Sequence, residues 1–179
     1  MEEIEINKNL EPFLQTKRGV LYNRDCLEVL ETLQDRSVDL IFADPPFNLK
    51  KEYDNNYDDN KSTDEYLQWC YKWIDECARV LKVGGAFYIF NIPKWSLYLG
   101  AYMLKKLTLM NWISVDMKYS LPIQNRLYPA HYGLLYFIKG KKPGVFNVEE
   151  FDPDPYMDAL NKHGLPWHEI YGANLEMEY

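Results

Sequence analysis

Apolar residues recur along the chain in two rhythms, short unbroken runs and stripes at helical spacing, and together they predict alternating strands and helices. The run Val38-Asp-Leu-Ile-Phe-Ala43 is apolar on both sides of its alternation, as in a fully buried strand of a parallel sheet. Asp44-Pro45-Pro46 stops it abruptly. A shorter strand is predicted over 19–23, and Asp25-Cys-Leu-Glu28 then has the form of a capping box. The helix it opens runs to about Leu33, with Cys26, Val29, Leu30 and Leu33 turned inward. Ser62-Thr-Asp-Glu65 is a second capping box. Behind it Tyr66, Trp69, Cys70, Trp73, Ile74, Cys77 and Leu81 form one apolar stripe, and Gly84-Gly85 supplies a left-handed residue to end the helix. The Trp and Cys stripe is core material.

Further strands are predicted over 86–91, 112–117 and 131–138, with a helix over 94–109. Strand and helix in alternation, joined by short connections, imply an α/β fold whose parallel sheet carries helices on both faces. After Pro143 the pattern weakens, although Asp154-Pro155 can cap and start one short helix to His163. The expected organisation is a catalytic part over 1–147 and an acidic tail over 148–179.

Composition narrows the class. With 179 residues, 47% hydrophobic and 16% aromatic, the chain has material for one well-filled core. No apolar stretch approaches the ~20 residues a bilayer span needs, and MEEIEINKNL lacks the basic and apolar regions of a signal peptide, so a cytoplasmic location is expected. Cys26, Cys70 and Cys77 show no CxxC spacing and sit among helical apolar positions, as buried free thiols do.

The net charge of −7 is unfavourable for a nucleic-acid binder. Its distribution changes that picture, because residues 149–179 hold eight acids against Lys162 alone and residues 1–148 are neutral. A basic strip at Lys139, Lys141 and Lys142 is compatible with DNA, but a solvated turn is the simpler explanation of it.

Chemistry concentrates where the Val38–Ala43 strand ends. Ligands of open α/β sheets gather at the carboxyl ends of strands, and Asp44-Pro45-Pro46-Phe47 stands at one. Two prolines fix the backbone and donate no N–H, which leaves neighbouring carbonyls free to accept. A carboxylate and a carbonyl can together hold one amino group, and Phe47 offers a plate for a flat ring. That set suits an aromatic exocyclic amine such as adenine N6, which lies out of reach inside a duplex until its base is rotated outward. A rigid turn without chemistry is the competing explanation of any isolated D-P-P.

Four segments, in order, add to it: Asn23-Arg-Asp-Cys-Leu, Ser37 through Asn48 (SVDLIFADPPFN), Leu81-Lys-Val-Gly-Gly-Ala-Phe87, and His131-Tyr-Gly-Leu-Leu-Tyr-Phe-Ile-Lys-Gly140. Together they resemble the permuted, beta-type DNA adenine-N6 methyltransferases, over roughly residues 19–147. The resemblance implies a Rossmann-like methyltransferase sheet, S-adenosyl-L-methionine as cofactor and double-stranded DNA as substrate. It implies that Asp44 orients the target amine, that Pro45 accepts from it through its carbonyl with Pro46 holding the corner, and that Phe47 stacks on the base. It also implies that Asp25, with Asp44 and Pro45, meets the cofactor. Arg24 stands where the family usually has glycine, and a plain helix N-cap competes for Asp25. Cytosine-N4 relatives more often begin the D-P-P segment with serine, so Asp44 points toward adenine.

The family continues past the strand at 131–138 with a recognition region and a glycine-rich F-x-G-x-G unit, and this sequence contains no G-x-G. The expectation is a sheet lacking its first two strands, with an open edge at the D-P-P strand. Such a chain is one piece of a larger or two-chain enzyme, or else an inactive scaffolding subunit or remnant, and the acidic tail begins the recognition region. The polar stretch 48–61 is expected to be a mobile loop over the flipped base. Asp54 to Asp58 with Glu65 imitates a calcium loop, but Asp59 occupies the position where its turn needs glycine. Asp152-Pro-Asp-Pro-Tyr156 is a turn, and His131, His163 and His168 lack metal spacing.

Overall fold

Ser62 begins the longest helix in the computed structural model, which describes residues 10–51, 59–117, 125, 127 and 130–147. Its hydroxyl accepts from the Glu65 amide at 3.3 Å, and the Glu65 carboxylate accepts in return from the Ser62 amide at 3.0 Å. Both bonds satisfy donors that a helix start leaves open. The element order is β1 (Leu14–Gln15), β2 (Val20–Leu21), α1 (Cys26–Leu30), β3 (Val38–Ala43), α2 (Thr63–Val80), β4 (Leu81–Asn91), α3 (Pro93–Met103), β5 (Thr108–Asp116) and β6 (His131–Ile138). These elements belong to the unit Met1–Val145. The short helix foreseen after Asp154 lies outside the described residues.

The main sheet has the order β3-β4-β6-β5. It is mixed rather than parallel: β3 runs parallel to β4, while β6 is antiparallel to both β4 and β5. Strand–helix alternation cannot signal this, because β5 returns to β6 without a helix between them among the described residues. The strand foreseen over 19–23 is shorter, Val20–Leu21, and pairs with β1 in a separate hairpin outside the main sheet.

One core holds the described helices to one face of the sheet. The α2 stripe of Tyr66, Cys70, Trp73, Ile74 and Cys77 meets Phe87 and Ile89 of β4, Trp95, Leu99 and Met103 of α3, and Leu135 and Phe137 of β6. Leu27 and Leu30 of α1 pack onto the same cluster, as do Ile41 and Ala43 of β3. Helices on both faces were expected; among the described residues they lie on one. β3 is therefore not a fully buried strand. It stands at the sheet edge with Leu40 58% and Phe42 59% exposed.

Gly84 does not end α2. The helix stops at Val80 and passes directly into extended backbone at Leu81, while Gly84 sits inside β4 with φ of 82°. Its conformation serves a close approach, since a Cβ there would lie 2.8 Å from the Gly144 nitrogen. The end of α2 is capped from a distance: Lys139 Nζ donates to the carbonyls of Ala78, Arg79 and Leu81 at 2.7, 3.2 and 2.9 Å. A cation against exposed C-terminal carbonyls complements the helix dipole, so Lys139 is a cap and not part of a solvated strip. Arg79 works likewise on α1, donating to the Leu30 and Leu33 carbonyls at 2.8 and 2.9 Å and pairing with Glu76 and Asp35. These bonds fix the chain where it enters β3.

Cys70 and Cys77 are buried, and burial pushes both thiols up to about 12. Cys26 was expected inward but is exposed, because α1 ends after five residues and presents no buried position. A thiol reagent at about pH 8 should modify Cys26 in the folded protein and reach Cys70 and Cys77 only after unfolding, as mass mapping of the adducts would report. Replacing Ser62 by Ala should cost about 1 kcal/mol and lower the melting temperature by roughly 2–4 °C, measured by thermal denaturation.

Candidate active site

The turn after β3 has no means of holding itself, because Pro45 and Pro46 carry no N–H. The helices hold it instead. Tyr66 of α2 donates its hydroxyl to the Pro46 carbonyl at 2.7 Å, and Trp95 of α3 donates its indole N–H to the Phe47 carbonyl at 2.6 Å. Both donors are buried, Tyr66 completely and Trp95 to within 2%, and their rings meet at 4.5 Å. Asn91, at the end of β4 and 1% exposed, donates to the Tyr66 oxygen at 3.3 Å and orients that hydroxyl.

Asp44 and Pro45 are treated differently. Asp44 is exposed, and no described residue donates to its carboxylate or to the Pro45 carbonyl. Of the consecutive carbonyls in Pro45-Pro46-Phe47, the last two are tied into protein and the first is left open. The carboxylate beside it is open as well.

Phe47 turns its ring to the sheet face away from the helices. There it lies 5.9 Å from Phe90 of β4 and 6.0 Å from Tyr132 of β6, and those two rings are 4.9 Å apart. Tyr88 and Tyr136 stack at 4.6 Å on the same face. The plate is thus half-buried and set in a row of aromatic rings across the ends of three strands.

Beyond Phe47 the backbone twists. Asn48 and Lys50 adopt φ of 53° and 61°, in the left-handed region that residues with side chains rarely occupy. Asp59, 3% exposed, accepts from the Asn48 amide at 2.9 Å and from the Leu49 and Lys51 amides at 2.8 and 3.0 Å. The Asn48 side chain is bonded in both directions to the Lys61 backbone at 2.8 Å. The stretch expected to be a mobile loop is therefore fastened at both ends, and residues 52–58 between them lie outside the described residues. The imitation calcium loop falls mostly on those residues, and Asp59 spends its carboxylate on backbone amides instead.

Asp25 caps α1, accepting from the Leu27 amide at 2.9 Å. The reciprocal bond of a capping box is replaced by a pair between Glu28 and Arg24 at 3.7 Å. Asp44, Pro45, Pro46 and Phe47 thus form one corner at the end of β3, while Asp25 occupies the start of a separate helix. Sequence reasoning did not single out Asp59, Asn91, Tyr66 or Trp95 for this corner. Tyr66 and Trp95 announce themselves only as core, although a buried Tyr hydroxyl or Trp N–H usually finds a partner.

A large open groove of about 740 Å³ runs between α2 and α3, lined by Tyr71, Lys72, Asp75, Tyr98, Tyr102 and Lys105 among others. It includes none of the corner residues.

The family model described as DNA methylase, of N6 and N4 type, matches residues 38–169. Type II methyltransferase M.BamHI of Bacillus amyloliquefaciens is 48% identical over 96% of this chain and 44% of its own length. DNA adenine methyltransferase YhdJ of Escherichia coli (strain K12) is 35% identical over 69% of this chain and 42% of its own. The chain spans less than half the length of these curated relatives. The solved structure of PvuII DNA methyltransferase (cytosine-N4-specific) shares the fold with a TM-score of 0.64 at 21% identity, covering 89% of this chain and 68% of that one. Matched across the strand, the D-P-P corner and both sheet partners of that strand's neighbour, the chain belongs to the DNA methylase family of N6 and N4 methyltransferases.

Proposed function

We propose that this chain carries the amine-binding half of a site-specific DNA methyltransferase acting on adenine N6. The observation that carries the proposal is the pair of open acceptors, the Asp44 carboxylate and the Pro45 carbonyl, beside the occupied carbonyls of Pro46 and Phe47. An exocyclic amine has two N–H donors, and two neighbouring acceptors satisfy both. The nitrogen's remaining electron pair, normal to the plane of the base, is then left free of hydrogen bonds. S-adenosyl-L-methionine, when bound, supplies an electrophilic methyl group on sulfur.

Asp44 and Pro45 contribute by orientation. Holding the amine in a near-attack geometry can account for ~7–11 kcal/mol of a barrier without any strongly basic group. Phe47 receives the flipped base on its ring, which offsets part of the few kcal/mol lost on leaving the stack. The ring's contacts with Phe90 and Tyr132 keep it from following the base.

For the cofactor, the residues present fit in part. Asp44 and Pro45 are unoccupied acceptors at a strand's carboxyl end, the position where α/β sheets bind ligands. Asp25 has one carboxylate oxygen committed to the Leu27 amide and is exposed, which leaves its other oxygen able to accept from an adenine amine.

The open edge of β3, with Leu40 and Phe42 exposed beside it, supports a sheet that continues in further chain or in a partner subunit carrying the F-x-G-x-G unit. A strand edge with apolar side chains invites pairing, so covering it also guards against aggregation. The 35%-identical YhdJ is a DNA adenine methyltransferase, which supports N6. Cytosine N4 offers the same two donors and is the second outcome to be measured.

In the complete assembly, Asp44→Ala should reduce methyl transfer to DNA by about 100-fold or more, since the exposed side chain orients substrate and supports nothing else. Transfer at the unsubstituted rate would sink the role. Mass analysis of nucleosides from the modified DNA should give N6-methyladenine; N4-methylcytosine would move the target to the second base. Isothermal titration with S-adenosyl-L-methionine should show binding by the completed assembly and much weaker binding by this chain alone.

A further inference from the structure

We infer that Asp59 is a positioning residue for the reaction: by gathering the amides of Asn48, Leu49 and Lys51 it fixes the far side of the D-P-P-F corner, so that the Phe47 plate and the Pro45 carbonyl keep their places. The inference rests on the transferase reading above.

A carboxylate that is 3% exposed must find partners or lose much of its hydration energy. Asp59 finds them without any cation. Its Oδ1 accepts from Asn48 and its Oδ2 from Leu49 and Lys51, while its own carbonyl accepts from the Lys50 amide at 3.0 Å. Four successive backbone N–H groups, from Asn48 to Lys51, therefore converge on one residue. That convergence demands the left-handed φ values of Asn48 and Lys50, a conformation that is not self-sustaining for residues with side chains. Successive amides curled in this way form an anion-binding nest, and the anion is built in.

Both carboxylate oxygens of Asp59 accept from backbone amides. What it controls is where the chain goes after Phe47. On the near side the corner is anchored by β3, whose Ala43 is paired with Ile89. In the middle it is held by Tyr66 and Trp95. Beyond Phe47, the Asp59 nest and the Asn48–Lys61 bonds are what join the corner to the start of α2. Losing the nest leaves the corner held from one side only, by β3, Tyr66 and Trp95, and frees Phe47 and the carbonyls before it to shift toward the slack segment.

The test compares three variants in the DNA-methylating assembly that contains the full chain. Asp59→Asn keeps size and removes charge, and it sets an amide NH2 group against one of the backbone donors. Its kcat should fall about 10- to 100-fold, the penalty expected when reacting groups shift by about 1 Å, with KM for S-adenosyl-L-methionine changed less than about twofold. Ser62→Ala, which uncaps α2 without touching the nest, serves as the control for lost stability and should leave kcat within about twofold. Asn48→Gly relieves the backbone strain and cuts the side-chain tie to Lys61; it should lower kcat about 3- to 10-fold, and it carries the test if Asp59→Asn does not fold.

A kcat for Asp59→Asn within about twofold of the unsubstituted value would overturn the inference, as would an equal loss in Ser62→Ala. If Asp59→Asn cannot be produced, Asn48→Gly within about twofold overturns it. Absence of methyl transfer by the unsubstituted assembly would instead remove the transferase reading and the inference with it.

Discussion

A turn made of two consecutive prolines cannot be stabilised by its own backbone, and the fold is arranged around that constraint. Pro45 and Pro46 donate nothing, so every bond that fixes the corner is made by a donor brought from elsewhere. Tyr66 reaches it from α2 and Trp95 from α3. Those two rings are also central to the core, in contact at 4.5 Å. The packing that holds the helices on the sheet and the bonding that shapes the corner are consequently one system. Disturbing the core at Tyr66 or Trp95 disturbs the site, although neither side chain approaches the open acceptors from the solvent side.

Much of this was legible in the chain. The strand Val38–Ala43 and the strand His131–Ile138 end where turn chemistry ends them, and the Ser62 capping box forms both of its bonds. Local signals of that kind depend on neighbours a few residues apart. Strand direction does not, and the antiparallel placement of β6 between β4 and β5 is a tertiary choice that periodicity does not encode. Gly84 was misassigned for a related reason. A glycine after a helical stripe has the form of a C-cap, whereas the demand for φ of 82° comes from Gly144, sixty residues away in sequence. Lys139 and Arg79 cap helices across similar distances, and no spacing rule marks either.

The D-P-P strand was expected to be buried because its apolar residues face both ways, and the structure shows why composition and position disagree. Ile41 and Ala43 meet the helix-side core, while Leu40 and Phe42 emerge on the other face at an edge. Burying each of those two side chains would gain ~1.5–3 kcal/mol, so leaving both in water is costly for a small unit. Phe13, Leu14 and Leu21 of the β1–β2 hairpin and its approach are likewise exposed. Chains tolerate single exposed apolar residues readily, but a run of them along an unpaired strand edge is the pattern of an interface.

The distribution of carbonyls at the corner also limits the chemistry. Had Pro46 and Phe47 been left open along with Pro45, the corner would present a broad band of acceptors suited to a cation or to water. With both engaged, of these three carbonyls only that of Pro45 remains, beside the Asp44 carboxylate. A hydroxyl carries one hydrogen and could satisfy only one of the two; the other would be desolvated without a partner when a flat ligand covered it, at a cost of ~1–3 kcal/mol. A primary amine conjugated to an aromatic ring could satisfy both while lying coplanar with its own ring, as the proposed stacking on Phe47 requires. On the proposed reading, a preference for an amine over a hydroxyl would follow from which carbonyls Tyr66 and Trp95 occupy, and the two core residues would act on selectivity as well as on shape.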